Sequence, residues 1–470
     1  MKKSLFLFII FCNSFVHAQS LNQKIENAYK IFESDPQLRF ASTSLTVLNA
    51  ENGTLIFSKD GNLGLSSAST LKTITSATAY YILGKDFTWE TTLGYSGSIL
   101  ANGKLNGDVI ITGGGDPSLG SDLYDNSQSE LLLKKWAEEL SRAGIKSISG
   151  QIIADDRLFG TETMPGGWTW QDMGNYYGAG LSSLTWRENQ FEMYFKPGRI
   201  GEAAELLRTD PEMSYIKIVN EVKTAAAGTG DNVYAYSAPF STIIYLRGTY
   251  GVDLKKAIAA SVPDPAFDLA YRLQNKLKQF DIQVENGVAT ARGLSANLKP
   301  LISQNKVISV HKSPALDQIV YRFNQKSINL FGEHLVKTIA WKEGKDITIS
   351  QGVKLIKEFW NKKIGIDPSS MNIYDGSGLS PANRITTATM TKILQSLPKE
   401  SWFDSYYNSF PLYNNIKMKS GSISDVIAYA GYHTSASGTP LVFSFIVNNY
   451  NGSSSAVRQK MYRVLNALKY

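Results

Sequence analysis

The pattern that most constrains this fold is divided between the two ends of the chain. Near the start, Asn22 to Phe32 puts Ile25, Tyr29 and Phe32 on one helical face, and two strand-like runs follow, Ser44 to Asn49 and Thr54 to Ser58. Glu51-Asn52-Gly53 joins the runs as a hairpin turn, because Asn and Gly accept positive φ. Ser69 to Leu83 then reads as a buried helix, rich in Ala, Thr and Ile and closed by Gly84. At the far end Val426 to His433 and Leu441 to Asn448 alternate as strands, and Ser455 to Leu468 is an amphipathic helix. A two-stranded hairpin is marginal alone. Helix, two strands and a core helix, then much later two strands and a helix, point to one sheet built from both chain ends with helices over its faces, an α/β sandwich.

Between the ends the texture changes. From Trp89 to Ala296 there are many short β-like runs broken by Asn102-Gly103, Asn106-Gly107 and Gly113-Gly114-Gly115-Asp116-Pro117. A helix is predicted over Ser127 to Ala143 and a strand over Ser149 to Ala154. Pro165 to Trp170 is aromatic and Gly-rich, and Val219 to Asn232 is small and polar, a loop or sheet edge. No strict internal repeat is present. The division expected is residues 19–88 with 297–470 as one domain, and 89–296 as a mostly β insertion of two nested subdomains. With 470 residues, 43% hydrophobic, the chain can supply such cores.

The first 18 residues read as a secretory signal: Lys2 and Lys3, an apolar run from Leu5 to Phe11, and Val16-His17-Ala18 as a small-x-small cleavage site, with Gln19 first in the mature chain. The apolar run is too short to span a bilayer, so no stable membrane span is expected. Cys12 is the only cysteine, and Phe11 precedes it where a lipoprotein signal needs a small residue. The mature chain then has no disulfide and no thiol nucleophile. An exported, periplasmic or cell-wall-associated protein is expected. The formal charge of +7 suits an anionic wall polymer as well as ordinary solubility. No dense Lys/Arg run with interleaved aromatics points to nucleic acid. The oligomeric state is left open.

Three short motifs carry the chemistry. Ser-x-x-Lys occurs at Ser69, Ser214, Ser303, Ser309 and Ser396, but only Ser69 follows a polar turn and opens a long small-residue helix. Residues three apart share a helix face, so Ser69 and Lys72 can meet, and a buried lysine near another cation loses its proton readily. Taken alone the motif is also a helix cap with a solvated lysine. Ser-x-Asn occurs at Ser20, Ser295, Ser303, Ser327 and Ser370. Of these, Ser327 starts "SINLFGEHLVKTIAW", a helix with an apolar face. Lys-Ser/Thr-Gly occurs once, at Lys419-Ser420-Gly421 just before a strand, and joins a cation, a hydroxyl and a glycine that permits close backbone approach. Read blandly, it is a turn before an edge strand.

In this order the motifs resemble the signature of penicillin-binding proteins and class A β-lactamases. More closely, "SSASTLKTITSA", "GDVIITGGGDPSL", "ISGQIIADDRLF", "DGSGLSPANRIT" and "KMKSGSISDVIAYAGYH" resemble segments of the D-alanyl-D-alanine carboxypeptidase/endopeptidases, the class C low-molecular-mass penicillin-binding proteins. The likeness covers nearly all the mature chain. It implies a transpeptidase/β-lactamase-like helix–sheet–helix domain, with a two-part insertion in the gap from Lys72 to Ser327. It also implies a serine peptidase acting on peptidoglycan stem peptides, inhibited by β-lactams and needing no cofactor or metal. By resemblance Ser69 is the acylated nucleophile, Lys72 its base and Ser327 the proton shuttle to the leaving D-Ala amine. Asn329 would hold the substrate amide, Lys419 supply positive potential and Ser420 bind the terminal carboxylate beside Gly421. The backbone N–H groups of Ser69 and Ser422 would form the oxyanion hole. Asp155 would face the amino end of a diaminopimelate side chain. Two positions depart from the family: Ser420 stands where Thr is frequent, and Ile328 where Asp is frequent. The rival readings are a wall-binding protein that kept the fold without the chemistry, and a His-dependent serine hydrolase. The latter would have to use His311, His334 or His433, without a Gly-x-Ser-x-Gly elbow. No His-Glu-x-x-His is present for a metallopeptidase.

Overall fold

Six antiparallel strands from the two ends of the chain form one sheet in the computed structural model, which describes residues 20–300 and 303–470. The segment read as a secretory signal lies outside the described residues. Across the sheet the order is Leu55–Lys59, Ser42–Asn49, Pro440–Asn448, Val426–Thr434, Ile416–Ile423 and Leu412–Tyr413. The first hairpin closes as its turn residues predict: the Asn49 side-chain carbonyl accepts from the N–H groups of Glu51 and Asn52, and Gly53 takes φ +75°.

Strand alternation divides the core into two layers. On one face Leu45, Val47, Tyr429, Phe443 and Phe445 meet Ile25, Tyr29 and Phe32 of the helix Leu21–Glu33, and Val457 and Met461 of the helix Ser454–Asn466. On the other, Ala428, Ala430, Val442 and Ile446 join the core of the buried helices Lys72–Leu83, Leu316–Lys326, Asn329–Lys342, Ile349–Ile364 and Thr387–Gln395. Buried serine and threonine hydroxyls of Lys72–Leu83 bond within the protein: Ser76 donates to the Lys72 carbonyl, and Thr78 donates to the Ile74 carbonyl and accepts from the Trp360 indole.

Between these halves the chain builds a second unit. Its mixed sheet runs Val288–Thr290, Ile152–Asp155, Val109–Thr112, Glu90–Tyr95 and Lys306–Lys312, the last strand pairing with the first of the unit as the chain returns. Helices Ser129–Arg142 and Pro265–Lys278, 14 residues each, cover it. The second of these has clear sequence signals: Asp264 caps it, Pro265 opens it, and Leu269, Leu273 and Leu277 form its buried stripe. Three smaller sheets complete it. In one, Lys217–Asn220 and Lys223–Ala225 lie along one edge of Ile243–Gly251, with Asp231–Tyr236 on the other. Part of Val219 to Asn232 is thus sheet edge. No helix of the described residues is long and apolar enough to cross a membrane.

Candidate active site

The helix expected to begin at Ser69 begins at Lys72. Ser69 lies in a 3-10 turn, Ala68–Leu71, that feeds the helix Lys72–Leu83. The tighter winding brings side chains three apart into register, and Lys72 Nζ stands 3.0 Å from Ser69 Oγ. Ala68, just before Ser69, takes φ +43°, a conformation costly for a residue with a Cβ and found at functional turns.

Lys72 is fully buried. Its Nζ also lies 2.6 Å from Asn329 Oδ1 and 2.7 Å from the Ser377 carbonyl oxygen. Both of these are pure acceptors, so they take two N–H groups. A neutral amine then has its lone pair left for Ser69 Oγ. Burial, then the charge on Lys419, push the Lys72 ammonium well below the ordinary lysine value, while Asp375 and Glu333 act in the opposite sense.

Ser327 sits between the helices Leu316–Lys326 and Asn329–Lys342 in the left-handed conformation, φ +58°. That single residue breaks the helix and turns the next into the site. Asn329 donates from Nδ2 to the Tyr177 carbonyl, 2.8 Å away, so the insertion touches the motif directly.

The strand Ile416–Ile423 closes the site. Gly421 is needed for contact with the Ser69 turn: a Cβ there would lie 2.7 Å from the Ser67 carbonyl oxygen and 2.8 Å from the Ser69 nitrogen. Lys419 is buried, donates to the Ser420 carbonyl at 2.9 Å, and has its ammonium pushed down to about 7 by burial.

A cleft of about 600 Å³ is lined by Ser69, Ser327, Asn329 and Ser422, with Lys72 and Lys419 buried beneath it. Ser420, half-buried two residues before Ser422, is not among the lining residues, and neither is Asp155. The Asp155 carboxylate is instead held by Arg157, at 2.6 and 2.7 Å. The aspartate that does line the cleft is Asp172, on the short helix Trp170–Met173, with Tyr176 and Tyr177 just after it. Only the aromatic, Gly-rich texture of its surroundings hinted at this arm.

The sequence reading also gave no role to the loop after Asp375, although "DGSGLSPANRIT" was among the segments singled out. Its conformation is held by two buried carboxylates. Glu333, one helical turn after Asn329, accepts the N–H groups of Gly376 and Ser377 at 2.9 and 3.0 Å. Asp375 accepts from Gly378 N at 2.8 Å, Ser380 N at 2.6 Å, Asn383 Nδ2 at 2.8 Å and the Trp168 indole at 3.0 Å. The Ser377 carbonyl that meets Lys72 is thereby fixed. Burial, then the nearby Asp375, push the Glu333 carboxyl up to about 8.

No histidine lines the cleft. His334 is buried between Thr185 Oγ1 and the Gly115 carbonyl. His311 approaches Ser127 at 3.4 Å and Asp116 at 3.9 Å, but through the same ring nitrogen. A relay needs its acid and its serine on opposite nitrogens.

The model of the D-Ala-D-Ala carboxypeptidase 3 (S13) family matches residues 22–468. The chain is 25% identical over 446 residues to a D-alanyl-D-alanine carboxypeptidase of Actinomadura sp. (strain R39), covering 89% of this chain and 80% of that one. Its fold is similar to that of penicillin binding protein 4 (dacB) from Haemophilus influenzae, with a TM-score of 0.79 at 22% identity over 94% of this chain and 100% of the other. The same protein complexed with a β-lactam matches with a TM-score of 0.73 at 21% identity, again over 94% and 100%.

Proposed function

The chain belongs to the D-Ala-D-Ala carboxypeptidase 3 (S13) family, and from that premise we propose that Ser69 is the residue it acylates. The observation that carries the assignment is the Lys72 amine, buried and 3.0 Å from Ser69 Oγ, with two other acceptors already engaging it. As Ser69 Oγ attacks the carbonyl carbon of the penultimate D-Ala, its proton passes to the Lys72 lone pair. Charge developing on the carbonyl oxygen is met by the backbone N–H groups of Ser69 and Ser422, where one aimed donor contributes about 3 kcal/mol. Ser327, on the same cleft, passes the proton to the departing amine as the C–N bond breaks. Water then hydrolyses the ester and regenerates Ser69.

The substrate in this reading is a peptidoglycan stem peptide, and a β-lactam is a stalled acyl donor. A cationic substrate side chain entering the cleft meets Asp172, and no role there is proposed for Asp155. Lys419 supplies the positive potential, and Ser420 is kept as a carboxylate ligand on the strength of its motif. The N-terminal pattern of Lys2, Lys3 and the apolar run to Phe11 supports a location outside the cytoplasm, where the polymer is.

Labelling with a fluorescent penicillin tests the assignment. The wild type takes a covalent label and Ser69→Ala takes none. A label that persists in Ser69→Ala would put the nucleophile elsewhere, and an unlabelled wild type would favour the wall-binding reading. Digestion of purified muropeptides, read by mass spectrometry, separates loss of one D-Ala from conversion of cross-linked dimers to monomers.

A further inference from the structure

One smaller sheet of the insertion turns a row of aromatic rings outward. In the antiparallel pair Asp231–Tyr236 and Ile243–Gly251, Val233, Ala235, Ile244 and Leu246 are buried. Alternation therefore sends Tyr234, Tyr236, Tyr245 and Arg247 to the opposite face. Tyr236 stands directly across from Tyr245, and Tyr234 across from Arg247. The Arg247 guanidinium lies 5.4 Å from the Tyr236 ring centre and 6.0 Å from that of Tyr245. Trp170, from the aromatic segment that the sequence singled out, adds its ring 5.0 Å from Tyr236. Trp170 is nevertheless 56% exposed and Tyr245 39%. Rings left this open gain little from folding, and an aromatic patch with an arginine has the composition of a recognition surface.

The row is continuous with the catalytic cleft. Tyr234 belongs to both, lining the same cavity as Ser69. Alternate residues along a strand are about 7 Å apart and neighbouring strands about 5 Å. A ligand that fills the cleft and extends past Tyr234 along this pair of strands reaches Tyr236, Tyr245 and Trp170. The surface is open and built of flat rings with hydrogen-bonding neighbours. Its one cation on the row is already paired, Arg247 with Glu221 at 3.0 Å. Pyranose rings suit such a face, since their C–H faces stack on aromatic rings while hydroxyl and acetamido groups bond at the edges. An anionic lipid surface would instead require unpaired cations.

We propose that Trp170, Tyr236 and Tyr245 form a docking surface for the amino-sugar strand that carries the stem peptide into the cleft. The proposal rests on the peptidoglycan reading above and gives the insertion a task in it. The probe is a soluble β-1,4-linked hexamer of N-acetylglucosamine, with binding followed by calorimetry. The variant is Trp170→Ala combined with Tyr245→Ala, two exposed side chains outside the cleft. The wild type binds the hexamer, and the double variant binds it at least about tenfold more weakly. D-Ala release from a soluble pentapeptide is unchanged in the variant, whereas release from intact sacculi falls. A wild type that does not bind the hexamer, or a variant that binds it equally, overturns the proposal. So does a variant whose binding loss is confined to anionic lipid vesicles. Failure of penicillin labelling would sink the functional reading instead, and hexamer binding reports on docking independently of it.

Discussion

At the scale of single residues, the site depends on which proton Lys72 keeps. Burial and Lys419 lower the proton affinity of its amine, as the proposed role of base requires, while Asp375 and Glu333 raise it. The signs give two opposed predictions for the acylation rate as a function of pH. The rate requires neutral Lys72 and so falls on the acid side. Asp375→Asn removes a negative charge that favours the Lys72 ammonium, lowers the Lys72 proton affinity further and moves the acid limb to lower pH. Lys419→Met removes a positive charge, raises that affinity and moves the acid limb to higher pH. Lys419 itself titrates near 7, so its charge acts below that pH. Rates of fluorescent-penicillin labelling across pH measure both. A fall in rate without displacement of the limb would mean that the two side chains only hold structure. Ser69, Lys72, Ser327 and Asn329 were legible because three motifs recur in a fixed order. Glu333 and Asp375 were not, since a lone acid in a helix or loop has no spacing that distinguishes it from a solvated one.

At the scale of elements, the site is a set of close backbone approaches. The strand Ile416–Ile423 reaches the Ser69 turn only because position 421 lacks a Cβ. Gly421→Ala is expected to slow penicillin labelling by about tenfold or more while far-UV circular dichroism stays unchanged, because the clash is with backbone that cannot rotate away. Unaltered labelling would mean that the strand shifts freely. Gly332 plays a similar part on the helix Asn329–Lys342, where an added Cβ would lie 3.0 Å from Gly376 C and Ser377 N. The sequence marked Gly421 as a place of close approach, but the partner is the protein's own turn. At Ser69 the expected α-helix start is a 3-10 turn, because local pattern places a helix without choosing how its first turn winds.

At the scale of the whole molecule, the insertion and the end-built domain are joined by buried polar contacts. Trp168 bonds Asp375, Tyr177 bonds Asn329, and His334 bonds Thr185 and Gly115. Burial pushes His334 down to about 4 from 6.5. Between those values the unfolded chain binds the proton and the folded one does not, so stability is full above 6.5 and is lost on acidification toward 4. At 1.36 kcal/mol per unit the loss is about 3 kcal/mol. The melting temperature should therefore drop steeply through this window in the wild type. In His334→Gln it should start lower at pH 7 and change less with pH; an equally steep drop would assign the acid lability to other groups.

Much of the fold was readable in sequence because its halves obey local periods. Alternation marks Val426–Thr434 and Pro440–Asn448, apolar spacing marks Leu21–Glu33 and Ser454–Asn466, and Glu51-Asn52-Gly53 dictates its own turn. Ser69, Lys72 and the second and third motifs were likewise marked by residue type and order. Tertiary structure alone decided what surrounds them. It brought Asp172 to the cleft and left Asp155 on Arg157, placed two acids behind Lys72, and aligned Trp170, Tyr236 and Tyr245 beside the site. These groups are distant in sequence and share no period. Their juxtaposition comes from how sheets and helices stack, and burial, which sets their charge states, exists only after that stacking.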